Sequence, residues 1–125
     1  MLRCLVRSKI QRLVVTGENL EYEGSLVLDF RLMQAAEILP GESVQAVNVN
    51  NGSRFETYAI AARPGTGTCI LNGVAARLGE VGDELIVMGL GWLDDSELRQ
   101  HRLNRVSVDH RNRIRKSDRN HPRGR

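Results

Sequence analysis

Apolar and polar residues alternate from the first positions of the chain. Leu2, Cys4 and Val6 stand against Arg3 and Arg7, and Leu13-Val14-Val15 follows. A period of two marks a strand, so Leu2 to Thr16 predicts two short strands or one bent strand. Thr16-Gly17-Glu18-Asn19 predicts a turn, Leu20 to Ser25 an extended or turn-like stretch, and Leu26-Val27-Leu28 a brief apolar strand. Asp29 is a capping residue for a helix through Arg31, Leu32, Met33, Ala35, Ala36 and Ile38, which Pro40-Gly41 stops.

The clearest local signal comes next. Ser43 to Asn50 and Arg54 to Ala62 flank Asn51-Gly52, a hairpin-turn dipeptide. Alternation through the second arm puts Arg54, Tyr58 and Ile60 on one face and Phe55, Thr57 and Ala59 on the other. Cys69-Ile70-Leu71 is a short strand, Val74-Ala75-Ala76 a short helix after Asn72-Gly73, and Glu84 to Met88 a buried strand. Asp94-Asp95-Ser96 caps a last short helix through Leu98, Val106 and Val108 suggest a final strand, and Arg111-Asn112 a turn. The expected class is mainly β with short helices, in one barrel-like domain. From Arg115 onward hydrophobic residues vanish and a disordered tail is expected.

Length and composition narrow this further. One domain suits 125 residues. Twelve glycines favour many turns and short strands. With two Phe, two Tyr and one Trp, the core must come from Val, Leu, Ile and Ala. No apolar run approaches the roughly 20 residues a bilayer requires, and Arg3, Arg7 and Lys9 break up any signal sequence, so a cytoplasmic chain without membrane partners is expected. Cys4 and Cys69 read as reduced, core-type thiols.

Charge is unevenly spread. Residues 1–98 carry 8 basic and 13 acidic side chains, and residues 99–125 carry 10 basic and 2 acidic. All three histidines (His101, His110 and His121) lie in the second part. A Ser-His-Asp or Cys-His arrangement within the body is therefore excluded. Zinc-ligand spacing, a phosphate loop and a dinucleotide fingerprint are missing too, so no metal is expected.

Tyr22-Glu23-Gly24-Ser25 offers another chemistry. Read locally, Gly-Ser at the mouth of a strand is an ordinary turn. A serine hydroxyl can, however, attack the carbonyl just before it when the backbone is tightly held, and a glycine there gives the backbone that freedom. The ester formed eliminates to dehydroalanine, which hydrolyses to a pyruvoyl group and ammonia. A terminal ketone of this kind can form a Schiff base with a substrate amine and take up the electron pair released by decarboxylation.

From Leu2 to Ile114 the chain resembles the aspartate 1-decarboxylase family. The shared pieces are Leu2-Arg3 with Ser8-Lys9-Ile10, Tyr22-Glu23-Gly24-Ser25, Asn51-Gly52 with Arg54, Thr57-Tyr58-Ala59-Ile60, Asn72-Gly73 with Ala75-Ala76, Val81-Gly82-Asp83, and Asp94-Asp95. The resemblance implies a double-psi β-barrel over residues 1–114, self-cleaved into 1–24 and 25–125, and assembled as a homotetramer with sites between subunits. It implies that L-aspartate is converted to β-alanine and carbon dioxide for pantothenate synthesis. The covalent pyruvoyl cofactor would come from Ser25, after cleavage at Gly24. By the same resemblance Tyr58 is the proton donor, and Lys9 and Arg54 hold substrate carboxylate. Thr57 assists cleavage and touches substrate, Gly73, Val74 and Ala75 line the pocket, and Asn72 is a polar group beside it. Whether an accessory activator is needed stays open.

Gln11 and Glu21 stand where the family commonly has histidine, and Val74 narrows a small-residue segment. These departures leave room for another small amino acid as substrate. Taken singly, each named residue also has an ordinary reading: a solvated charge, a strand aromatic or a turn. The tail, with Arg115, Lys116, Arg119, Arg123 and Arg125 against Asp118, supports a different class of reading, a non-enzymatic barrel that binds nucleic acid. It lacks interleaved aromatics, which disfavours that reading.

Overall fold

The computed structural model describes residues 1–120. Nine strands join in one sheet: β1 (Arg3–Val14), β2 (Gly17–Asn19), β3 (Ser25–Asp29), β4 (Ser43–Asn48), β5 (Arg54–Ala62), β6 (Cys69–Asn72), β7 (Glu84–Leu93), β8 (Leu103–Val108) and β9 (Ile114–Asn120). One helix, α1 (Phe30–Ala35), and a 3-10 turn over Gly73–Arg77 complete the fold.

Strand order decides the shape. It runs β2-β6-β3-β5-β4-β7-β1-β8-β9. β1 ends at Val14 and β2 begins at Gly17, yet five other strands lie between them in the sheet. Val15 and Thr16 can bridge that separation only if the sheet curls round on itself. The seam is bonded at Thr16 N–H to the Cys69 carbonyl (2.8 Å) and Val15 N–H to the Asp83 carbonyl (2.9 Å). Parallel pairs β1/β8, β2/β6 and β3/β5 cross antiparallel ones. The architecture is the expected mainly β, single-domain barrel, consistent with the double-psi type.

Alternation fills its interior. Ile10 pairs with Val87 and Val87 with Ala46, all three at 0 % exposure. Leu13, Leu26, Leu28, Leu32, Met33, Leu71 and Leu85 complete an aliphatic core with little aromatic content. Asp29 caps α1 by accepting from Arg31 N–H.

The helix ends earlier than the sequence suggests, because Glu37 adopts a left-handed φ of 56°. Glu37 N–H then reaches the Gln34 carbonyl and Ile38 N–H the Met33 carbonyl, which closes the helix before Pro40 arrives.

Other differences are equally local. Of the two readings of Leu2–Thr16, the single strand holds, as Arg3–Val14 with register shifts between Val6 and Ser8 and between Ile10 and Leu13. Residues 95–100 form turns and not a helix. Cys69 is buried as expected, whereas Cys4 is exposed.

The tail is the largest correction. Residues 114–120 form β9, antiparallel to β8, instead of disordered chain. Backbone pairing at a sheet edge needs no hydrophobic pattern, so the sequence carries no periodic trace of it. An Arg119–Glu37 ion pair ties it back to the body. Residues 121–125, the rest of the expected tail, lie outside the described residues. Among the described residues, no helix is long and apolar enough to cross a membrane.

Candidate active site

Ser25 opens β3, where two neighbouring strands fix it. It pairs with Asn72 of β6, and the next pair along, Leu26 with Ala59, sets it level with Tyr58 of β5. Residues paired across strands share a face. Ser25, Val27, Tyr58, Ile60 and Asn72 accordingly line one cleft of about 400 Å³ with Tyr22 and Glu23. Ser25 is 1 % exposed. Its hydroxyl donates to the Glu23 carbonyl at 3.4 Å and accepts from the Asn72 amide at 3.1 Å. Asn72 Oδ1 is buried with no partner among the described residues, which leaves an acceptor beside the serine.

The register separates the remaining candidates. β5 pairs with β4 without a bulge from Arg54 to Tyr58, so Thr57 faces inward with Phe55 and Ala59, opposite Val44, and Tyr58 faces the cleft. Arg54 shares the Tyr58 face, but four residues away, about 13 Å at strand rise. It lines a separate hollow with Gln45 and Glu56. Lys9 reaches that same face through the row Lys9–Met88–Gln45–Glu56, three strands from β5. A single chain thus brings together Ser25, Tyr58 and Asn72, and keeps Lys9, Arg54 and Thr57 apart from them. Of the segment after Asn72, Ala75 is buried and Val74 is 74 % exposed.

Gly24 shows no sign of the expected backbone demand. Its φ is not positive, and a Cβ built there would meet nothing within 4 Å. Val27 and Ile60 are cleft residues to which sequence reasoning gave no role. Their signal was available: each stands two positions after a chemistry-bearing residue on a strand, and the two are paired.

An aspartate decarboxylase family model matches residues 1–115. The chain belongs to that family. An aspartate 1-decarboxylase of Thermoanaerobacter pseudethanolicus is 46 % identical over 113 residues, covering 90 % of this chain and 97 % of the relative. One of Persephonella marina is 47 % identical, covering 91 % and 81 %. An aspartate 1-decarboxylase 2 of Gloeobacter violaceus is 51 % identical, covering 91 % of each. As a member of the aspartate decarboxylase family the protein is a decarboxylase. Its match ends within the first residues of β9.

Proposed function

We propose that the protein is a self-processing, pyruvoyl-dependent decarboxylase that converts L-aspartate to β-alanine and carbon dioxide, as a step toward pantothenate. The observation that carries this reading is the buried Ser25 hydroxyl, held between the Asn72 amide and the Glu23 carbonyl in a cleft it shares with Tyr58. Maturation uses the chain's own atoms. Ser25 Oγ bonds to the Gly24 carbonyl carbon, the Gly24–Ser25 C–N bond breaks, and the amine takes a proton. Loss of the Ser25 α-proton then expels the Gly24 carboxylate, and water replaces the nitrogen as ammonia.

The residues present suit the resulting group. The cleft is polar at Ser25 and Asn72 and apolar at Val27 and Ile60, so it can orient a small ketone while limiting water. That ketone supplies an electrophile for the substrate amine and a sink for the electron pair freed with carbon dioxide. Tyr58, whose phenol O–H faces the cleft, delivers a proton to the substrate carbon. Aspartate has two carboxylates, and the cations expected to hold them, Lys9 and Arg54, lie on the same face of the sheet but outside this chain's own cleft. A second copy docked on that face would supply them, which favours the homotetramer.

A denaturing intact-mass spectrum after mild warming tests the reading. Chains of residues 1–24 and 25–125, the longer one lighter by one ammonia than a serine-ended chain, are expected. Ser25→Ala should stay a folded single chain without decarboxylase activity. An active Ser25→Ala protein would overturn the mechanism. Turnover of aspartate against glutamate fixes the substrate.

A further inference from the structure

Asn72 and Gly73 are adjacent in sequence, and they touch opposite ends of the bond to be cut. Asn72 holds the Ser25 hydroxyl. Gly73 lies against the other side. At φ 63°, its bare Cα faces the loop before Ser25. A Cβ there would stand 2.6 Å from Gly24 N, 2.6 Å from the Tyr22 carbonyl oxygen and 2.8 Å from Gly24 Cα. All three are backbone atoms, and two belong to the residue whose carbonyl is attacked. Real Cβ contacts essentially never fall below 3.0 Å.

Among the other described left-handed glycines Gly67 is crowded too, but by the Arg111 carbonyl and not by the scissile loop. Gly41, Gly52 and Gly82, at φ 87°, 79° and 97°, would carry a Cβ into open space. What distinguishes Gly73 is therefore the scissile loop resting on it, and not its backbone angle.

We propose that Gly73 is a positioning residue for self-cleavage: its missing side chain seats residues 22–24 so that the Gly24 carbonyl lies within reach of Ser25 Oγ. Ser25 cannot follow a displaced loop, because it is paired with Asn72 in the sheet. Any side chain at 73 must push Gly24 outward by several tenths of an ångström or more while the nucleophile stays. Misplacing reacting atoms by about 1 Å costs on the order of 100-fold in rate. This role rests on the self-processing reading above and extends it: the glycine that the cleavage site demands sterically is Gly73, across the contact, whereas Gly24 has open space around its Cα.

The test compares full-length Gly73→Ala and Gly41→Ala with the unaltered protein, following cleavage by intact mass and folding by thermal melting. Gly41→Ala bears the same left-handed cost without the contact, so it should cleave at the unaltered rate. Gly73→Ala should melt cooperatively and cleave about 100-fold more slowly. Hydroxylamine, which at neutral pH cuts an ester far faster than an amide, should release the 1–24 chain readily from the unaltered precursor and about 100-fold more slowly from Gly73→Ala, because acyl transfer itself is slowed. Gly73→Asn eases the left-handed strain while keeping the Cβ. It should be equally slow, and it carries the test if Gly73→Ala does not fold. Cleavage of folded Gly73→Ala or Gly73→Asn at the unaltered rate, or equal slowing in Gly41→Ala, would overturn the inference. An unaltered chain that never cleaves would instead overturn the reading it rests on.

Discussion

The Asn72 side-chain amide donates to the Ser25 hydroxyl at 3.1 Å, across a strand pair that also joins the two residues by backbone register. That bond occupies a lone pair of the serine oxygen and leaves its proton directed at the Glu23 carbonyl. Asn72 therefore orients the nucleophile without removing its proton. A neutral hydrogen bond of this kind contributes about 0.5–1.5 kcal/mol, so Asn72→Ala should slow self-cleavage by roughly 2- to 10-fold. Time-resolved intact mass would check this, and an unchanged rate would show that the contact does not orient Ser25.

Tyr58 stands level with Ser25 but is 37 % exposed, and among the described residues the Ser25 hydroxyl is bonded by Glu23 and Asn72 and not by Tyr58. Tyr58→Phe should mature normally while decarboxylation falls by about 100- to 10,000-fold, the usual range for removing a general acid. Mass spectrometry and carbon dioxide release separate the two steps. Full turnover in Tyr58→Phe would move proton delivery to another group.

Asn112 is the chief polar tie between the β8–β9 turn and the barrel seam. It is 1 % exposed at φ 60°, accepts from Val14 N–H, and donates to the Val14 and Gly67 carbonyls, each at 2.8 Å. Asn112→Ala strands these groups, and each buried unsatisfied group costs about 1–3 kcal/mol. A loss of about 3 kcal/mol or more should appear as a lower urea midpoint. Asn112→Gly, which accepts the left-handed backbone, should lose less.

Acid should weaken the fold through identifiable carboxylates. The Asn48 amide, and after it the Glu80 backbone N–H, hold the Asp83 carboxyl below its ordinary range. Backbone N–H groups of Arg113 and Arg111 do the same for Asp109. A folded-state pKa lowered in this way contributes stability above the unfolded value of about 3.9, and the contribution is lost as pH falls through the folded value. Urea midpoints should be level from pH 7 to 5 and drop by pH 3. Asp83→Asn should start lower and drop less. An identical drop in the variant would place the acid-sensitive groups elsewhere.

Much of the local structure was legible because local chemistry determines it. Asn51-Gly52 marks a hairpin wherever it is placed, and Gly52 takes the left-handed φ of 79° that the turn requires. Asp29 caps its helix through its nearest neighbours. The two faces of β5 followed from alternation, since its pairing with β4 runs unbroken to Tyr58. The end of α1 was not legible, because Glu37 has no side-chain preference for a left-handed backbone. β9 was not legible for a different reason: an edge strand is held by main-chain bonds that any residue but proline can make.

The sequence by itself determined the chemistry on offer: a Gly24-Ser25 bond, Tyr58 as an acid, no histidine before residue 101, and a family pattern spread over most of the chain. Those are properties of residue identity and order. Only the tertiary structure decided which of the named residues meet. Curling of the sheet brings β3, β5 and β6 side by side and so joins Ser25, Tyr58 and Asn72, while strand register leaves Lys9 three strands away and turns Thr57 to the opposite face. The crowding at Gly73 belongs to this second kind, because a close approach between backbones more than forty residues apart in sequence leaves no mark in either segment.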